Sequence, residues 1–267
     1  MMGEPVVIFL HLPKAAGSTL NRVIARHYPE PAIHRLEAKS RTDLLEEVAT
    51  LTQPPSPIRV LTGHAGFGLH TRMSCDFTYI TMLRDPVDRL LSHYHFARTL
   101  PRHHLHEGIA SGRISLQDVA RELANLQTRY LVNDEVRADE HGSGEALLTN
   151  AKENLTGHFS VIGLAERFDE TLVFLQRKLG WKIAAVSSSN VNRSRPARSA
   201  HTEAEQNAIR SLNALDLELY DWVRARFDAE VAAGGSAFQR ELKQLRFRNR
   251  MLGWFEAARR RLGRQVP

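Results

Sequence analysis

Apolar positions along this chain follow two rhythms. Three short stretches are nearly continuous: VVIFLH (Val6–His11), IRVLTGH (Ile58–His64, ending at Gly63) and FTYITMLRDP (Phe77–Pro86). Each reads as a buried strand bounded by turn residues. Between and after them the spacing becomes helical. Leu20, Val23, Ile24 and His27 predict a helix over Gly17–His27. SRTDLLEEVATL predicts a second, with Thr42 or Asp43 as its cap, ended by QPPSP. Pro86 suits the first helical position of a third, running to Phe96. Helices then dominate: Ser115–Val132, Gly144–Leu155, Glu166–Leu179 and Thr202–Val231, with FSVIGL as a short strand among them. SSSNVNRSRPARS is a polar, basic loop without periodicity. Strand–helix–strand order with apolar strands implies an α/β protein: a P-loop-like parallel sheet flanked by helices, with a helix-rich C-terminal half.

Charge divides the chain more sharply than hydropathy does. The 267 residues carry a formal net charge of +6, yet the segment from Phe238 onward alone holds nine Lys/Arg and two Asp/Glu, leaving the remainder near −1. AAGGS (232–236) precedes this tail. The expected organisation is therefore a body over 1–234 and a basic amphipathic helix or tail over 235–267. In the tail, Phe238, Leu242, Leu245, Leu252 and Phe255 fall near one helical face. That face could dock on the body, pair two copies as a homodimer, or make peripheral contact with an anionic membrane; docking on the body is the favoured expectation. Basic residues confined to a tail do not describe a nucleic-acid binder, so no nucleic-acid partner is expected. No run of eighteen apolar residues and no leader pattern occurs, so a protein starting at Met1 is expected to be cytoplasmic. Cys75 is the only cysteine, which excludes an intramolecular disulfide. It has no recognisable activating partner.

Two stretches carry candidate chemistry. In VVIFLHLPKAAGSTLNRVI an apolar strand gives way at Pro13 to Lys14, Ala15, Ala16, Gly17, Ser18 and Thr19, and then to a helix. Strand, tight loop and helix aim backbone N–H groups at an anion, with Lys14 adding a point charge. The lysine precedes the glycine by three residues, so this is not the Walker pattern, in which lysine opens the helix. In LRDPVDRLLSHYHF, Arg84 ends a strand and Ser92 follows two helical turns later, so both can converge on one phosphate.

Together these stretches resemble the sulfotransferase superfamily. LPKAAGSTL is similar to its 5′-phosphosulfate loop and LRDPVDRLLSHYHF to its 3′-phosphate element. TGHAGFG, NLQTRYLVN and VIGLAERFDETLVFLQRKLGW resemble the carbohydrate branch that includes the uronosyl (heparan sulfate) 2-O-sulfotransferases. The resemblance covers roughly residues 6–200. It implies 3′-phosphoadenosine 5′-phosphosulfate as donor, a hydroxyl of a carbohydrate or glycan as acceptor, no metal, and a catalytic domain over 1–234. Lys14 would stabilise charge on the leaving phosphate, Lys14–Thr19 would hold that phosphate, and Arg84 and Ser92 would hold the 3′-phosphate.

An alcohol nucleophile needs a base, and imidazole suits neutral pH. His64, at a strand end, is the first candidate, and a histidine in the corresponding stretch serves the resembling enzymes. His70, after the same loop, is the second. His11 ends the first strand and could line the same cleft, packing being the favoured expectation; of His93 and His95, on the Ser92 helix, one could face the cleft, an exposed helix face being favoured. Gln127 and Arg129 are candidate substrate-binding residues on a helix that borders the site in the resembling family. Arg193 and Arg195, in the basic loop, are candidates for the 3′-phosphate. A P-loop kinase-like enzyme and a basic-tail membrane or nucleic-acid binding module are the alternative readings. Lysine spacing and the Arg84/Ser92 element weigh against the first, and the near-neutral body against the second.

Overall fold

The computed structural model describes residues 5–37, 40–139, 143–186 and 198–262. Five parallel strands form one sheet: β1 (Val6–Leu10), β2 (Ile33–Leu36), β3 (Val60–Gly63), β4 (Phe77–Leu83) and β5 (Phe159–Leu164), in the order β2-β3-β1-β4-β5. Twelve α-helices surround it among the described residues. They are α1 (Gly17–His27), α2 (Arg41–Leu51), α3 (Pro86–Thr99), α4 (His106–Ala110), α5 (Leu116–Glu122), α6 (Leu126–Tyr130), α7 (Asp134–Ala138), α8 (Gly144–His158), α9 (Phe168–Leu179), α10 (Glu203–Leu212), α11 (Ala214–Ala233) and α12 (Gly235–Leu262). The parallel α/β architecture and helix-rich C-terminal half expected from the sequence are both present.

β1 explains why the strands are so apolar. All five of its residues are buried, and it pairs with β3 on one side and β4 on the other. A parallel strand covered on both faces tolerates no alternation. Chain progression reverses direction across β1, so a crevice opens beyond the carboxyl ends of β1 and β4, where ligands bind in open α/β sheets.

Several local expectations change. β2, with sequence IHRL, has only two buried residues, too weak a pattern to stand out in the sequence. Ser40, rather than Thr42 or Asp43, caps α2 by accepting from Asp43 N. The two longest predicted helices are each broken, at Asn125 and at Asn213, and the breaks meet in space. Asn213 Oδ1 accepts from Asn125 N at 3.2 Å, while Asn125 Oδ1 accepts from Leu215 N at 3.0 Å. Asp216, fully buried, accepts from Gln127 N (3.1 Å), Thr128 N (2.8 Å) and Thr128 Oγ1 (2.8 Å). The N-termini of α6 and α11 thus cap one another, supplying acceptors for donors that no helix can satisfy internally.

α12 docks on the body, starting after a turn in which Gly235 takes φ +55°, a conformation suited to glycine. Phe238, Leu242 and Leu245 are buried in the main core. Arg177 binds Glu241 in a two-point ion pair, and Asn249 Nδ2 donates to Asp169. Phe255, expected on the same face, instead stands in solvent.

Buried Asp216 also offsets the charge of Arg89, whose guanidinium burial drives its pKa down while Asp216 opposes the shift. Asp216→Ala is expected to lower the unfolding free energy by roughly 3–5 kcal/mol, because it strips a buried charge and three donors of their partner. Urea denaturation checks this, and a loss under about 1 kcal/mol, the scale of one ordinary hydrogen bond, would contradict it.

Candidate active site

The loop after β1 bends sharply. Lys14 and Ala16 both take left-handed backbone conformations, φ 66° and 65°. Such values in residues with side chains are strained and are held only when the surroundings enforce them. Ala15 fixes the bend from below, its side chain fully buried in the core. Ala16 then caps α1 without any side-chain hydrogen bond, so the first N–H groups of the helix face the crevice uncapped by a side chain. Gly17 is required by a close approach: a Cβ there would lie 1.9 Å from the His11 ring.

Arg84 joins the second motif to the first. Its Nη1 donates to the carbonyl of Lys14 at 3.1 Å, across seventy positions of sequence. Its main chain is gripped at both polar atoms by one side chain: Gln127 Oε1 accepts from Arg84 N (3.0 Å) and Gln127 Nε2 donates to Arg84 O (2.9 Å). The next residue is held as firmly. Asp85 N donates to Glu166 Oε1, Glu166 Oε2 accepts from the Tyr220 hydroxyl, and Arg198 binds Asp85 Oδ1. Asp85 itself caps α3, with Pro86 at the start of the helix, and so sets the direction in which Ser92 projects.

One cleft of about 1980 Å³ contains Lys14, Ala16–Thr19, Arg84, Ser92, His11 and His64 in its walls. Its far wall is α12, through residues such as Lys243, Arg246 and Arg250. Within it, His64 is oriented by a hydrogen bond at 2.7 Å from Nδ1 to the carbonyl of His11. A carbonyl only accepts, so Nδ1 carries the proton and Nε2 keeps its lone pair. The His11 ring lies 4.3 Å from that of His64, and its pKa is lowered to about 4 by burial, then by His64 and Lys14. His93 is likewise lowered to about 4 by burial, then chiefly by His103 and Arg89, with Lys14 contributing. This is a positive environment that resists further protons. Lys14 rests its ammonium over the Phe96 ring, 3.7 Å from the centroid, a cation–π contact at the mouth of the cleft.

The other sequence candidates lie elsewhere. Gln127 is fully buried, and its polar atoms bind the main chain of Arg84. Arg129 is exposed and absent from the cleft walls; its carbonyl accepts from Arg137. His70 packs among Phe67, Phe77 and His158, with Nδ1 3.1 Å from the Tyr79 hydroxyl, near the start of β4 and away from the cleft. Arg193 and Arg195 lie outside the described residues. His93 and His95 both line the cleft, where an exposed face was favoured and one of the two was the alternative for the cleft, and His95 shares a hydrogen bond with His201. Their helix curls over the loop, which single-helix periodicity does not reveal. Glu166 and Tyr220 were not picked out as site residues. Their signal, a lone acid after a strand and a tyrosine within a helix, is ordinary until the fold brings them to Asp85.

A strained loop before a helix N-terminus, a strand-end arginine and an oriented histidine thus line one cleft. A model of the galactose-3-O-sulfotransferase family matches residues 3–255, and the chain belongs to that family. It is 30% identical to mouse galactose-3-O-sulfotransferase 3 over 265 residues, covering 90% of this chain and 60% of that one. It is 25% identical to chicken heparan-sulfate 6-O-sulfotransferase 2, covering 84% and 67%. The likeness to human uronyl 2-sulfotransferase is narrower, 26% over 162 residues, 54% of this chain and 38% of that one. The carbohydrate branch anticipated from the sequence is therefore right, with galactose-3-O-sulfotransferases as the matching family within it. The chain spans about 60% of the length of the mouse relative.

Folded His70, lowered to about 4 by burial and then by His158 and Arg41, resists a proton that the unfolded chain accepts near 6.5. Its contribution to stability is complete above that value and is lost as pH falls towards about 4. Replacing it by phenylalanine is expected to shrink the fall in Tm between about pH 7 and about pH 4.5, with His11 and His93 supplying what remains. An unchanged fall would show that His70 is not part of the acid response.

Proposed function

We propose that this chain transfers a sulfuryl group from 3′-phosphoadenosine 5′-phosphosulfate to a glycan hydroxyl, with a terminal galactose as the first acceptor to test. The observation that carries the reading is the Arg84–Lys14 contact, which places the strand-end arginine beside the phosphate loop. A nucleotide with phosphates at both ends of its ribose matches that pair of anion sites, whereas one lacking the 3′-phosphate would leave Arg84 and Ser92 unused. Family membership supports sulfuryl transfer as the reaction.

The residues divide the chemistry. The first N–H groups of α1, with Ser18 and Thr19, bind the 5′-phosphate. The acceptor oxygen attacks sulfur, the bond from sulfur to the phosphate oxygen breaks, and the acceptor proton passes to His64 Nε2. The His11 carbonyl, by accepting from His64 Nδ1, leaves Nε2 as the nitrogen that can take this proton. Negative charge grows on the departing phosphate oxygen, where Lys14 meets it after leaving Phe96. Lys14 therefore binds the transition state more strongly than the ground state. No step in this scheme is routed through a metal.

Transfer of radiolabelled sulfate to galactose-terminated oligosaccharides, with uronic-acid glycans alongside, tests the reaction. Label in the galactose series supports the proposal. Absence of label in every glycan, from protein that binds the nucleotide, would contradict the acceptor class. Absence of nucleotide binding as well would contradict the reaction.

His64→Ala is expected to reduce kcat by about 100-fold or more under saturating donor, with donor affinity retained. Near-normal turnover would remove His64 as the base. For Lys14→Ala the expectation is a large fall in kcat with donor Kd changed by only a modest factor. Normal kcat with a weakened Kd would make Lys14 a ground-state binding residue instead.

A further inference from the structure

We propose that the outward face of α12 is a docking surface for an anionic membrane. Phe238, Leu242 and Leu245 fix the inward direction of this helix, since all three are buried against the body. At 100° per residue, Phe247, Met251 and Trp254 project on the opposite side, with Phe255 at its border. Phe247 is 58% exposed, Trp254 72% and Phe255 68%, three of the four large apolar side chains that stand exposed among the described residues. Scattered apolar residues on a surface need no explanation, but aromatics gathered within nine positions of one helix face do.

Charge on the same face selects the partner. Lys243, Arg248 and Arg250 border the aromatic row, and none has an ion-pair partner among the described residues. Glu241, seven residues before Arg248 on the same stripe of the helix, is held by Arg177, and Arg246 is drawn to Asp169 and Glu170. A row of large apolar side chains within a belt of unpaired cations matches an anionic bilayer surface, where rings enter the headgroup region and cations meet lipid phosphates. A nucleic acid would use the cations but leave the aromatic row unexplained. A second copy, related by a twofold axis, would set each basic belt against its own image. No described helix is long and apolar enough to cross a membrane, so the contact is peripheral. Lys243, Arg250 and Trp254 also line the cleft, at the edge where this face meets its mouth. Docking through this face therefore brings the cleft mouth beside the lipid surface.

The test is co-sedimentation of the full chain with phosphatidylcholine vesicles, with and without about 30% phosphatidylserine, at low and physiological salt. Expected is binding to the anionic vesicles alone, weakened by salt. The double variant Phe247→Ser/Phe255→Ser and the single variant Arg248→Glu should each lower partitioning about tenfold or more. Binding of adenosine 3′,5′-bisphosphate, unchanged in both variants, would certify the fold. Three results would overturn the proposal: no partitioning of the wild type; wild-type partitioning by the serine double variant; or a concentration-dependent dimer in gel filtration that the serine double variant dissolves. Duplex DNA binding that is lost only in Arg248→Glu, without vesicle binding, would assign the face to nucleic acid instead.

Discussion

The reciprocal capping of α6 and α11 is the constraint on which the site depends. Asp216 supplies acceptors to the start of α6, and Asn125 supplies them to the start of α11. All the polar groups involved are buried or half-buried, where an unmet donor costs on the order of 1–3 kcal/mol. Neither helix can rotate or slide without breaking several bonds together. The fixed start of α6 presents Gln127 to the main chain of Arg84, and Arg84 in turn reaches the carbonyl of Lys14. A capping arrangement far from any substrate thus determines how the two anion-binding motifs face each other.

Electrostatics and position act together at the open end of the sheet. The helix N-terminus, Lys14 and Arg84 meet in one cleft, and the histidines beside them are held well below ordinary values, His11 by burial, then His64 and Lys14, and His93 by burial, then His103, Arg89, Lys14 and His104. Both imidazoles therefore resist a proton at neutral pH. His64 stands beside them with its ring orientation set by the main-chain carbonyl that accepts from Nδ1. α12 closes the far side of the cleft with the same helix that carries an aromatic, basic face.

The sheet was legible because buried parallel strands leave continuous apolar runs, as in VVIFL. The phosphate loop and the Arg84/Ser92 element were legible because their residue types and spacing answer to one ligand chemistry. What was hidden depends on contacts between distant segments. Two helices read as continuous because Asn125 and Asn213 are unremarkable within a helical pattern; only their pairing makes them breaks. Gln127 and Arg129 were singled out from the right helix, yet one serves Arg84 and the other faces solvent. His64 and His70 are six positions apart on one loop, but a short turn at Leu69–Arg72 folds His70 back among aromatic rings, where burial makes it a poor proton acceptor. Sequence spacing cannot report that reversal.

In the proposed mechanism Arg84 recognises the phosphate at the 3′ end of a nucleotide whose 5′ phosphate lies on the Lys14–Thr19 loop. Isothermal titration calorimetry with adenosine 3′,5′-bisphosphate and with adenosine 5′-monophosphate, on the wild type and on Arg84→Ala, measures it directly. The account predicts a loss of about 2 kcal/mol or more for the bisphosphate and almost none for the monophosphate, as befits one charge-assisted contact. Equal losses for both nucleotides would contradict it.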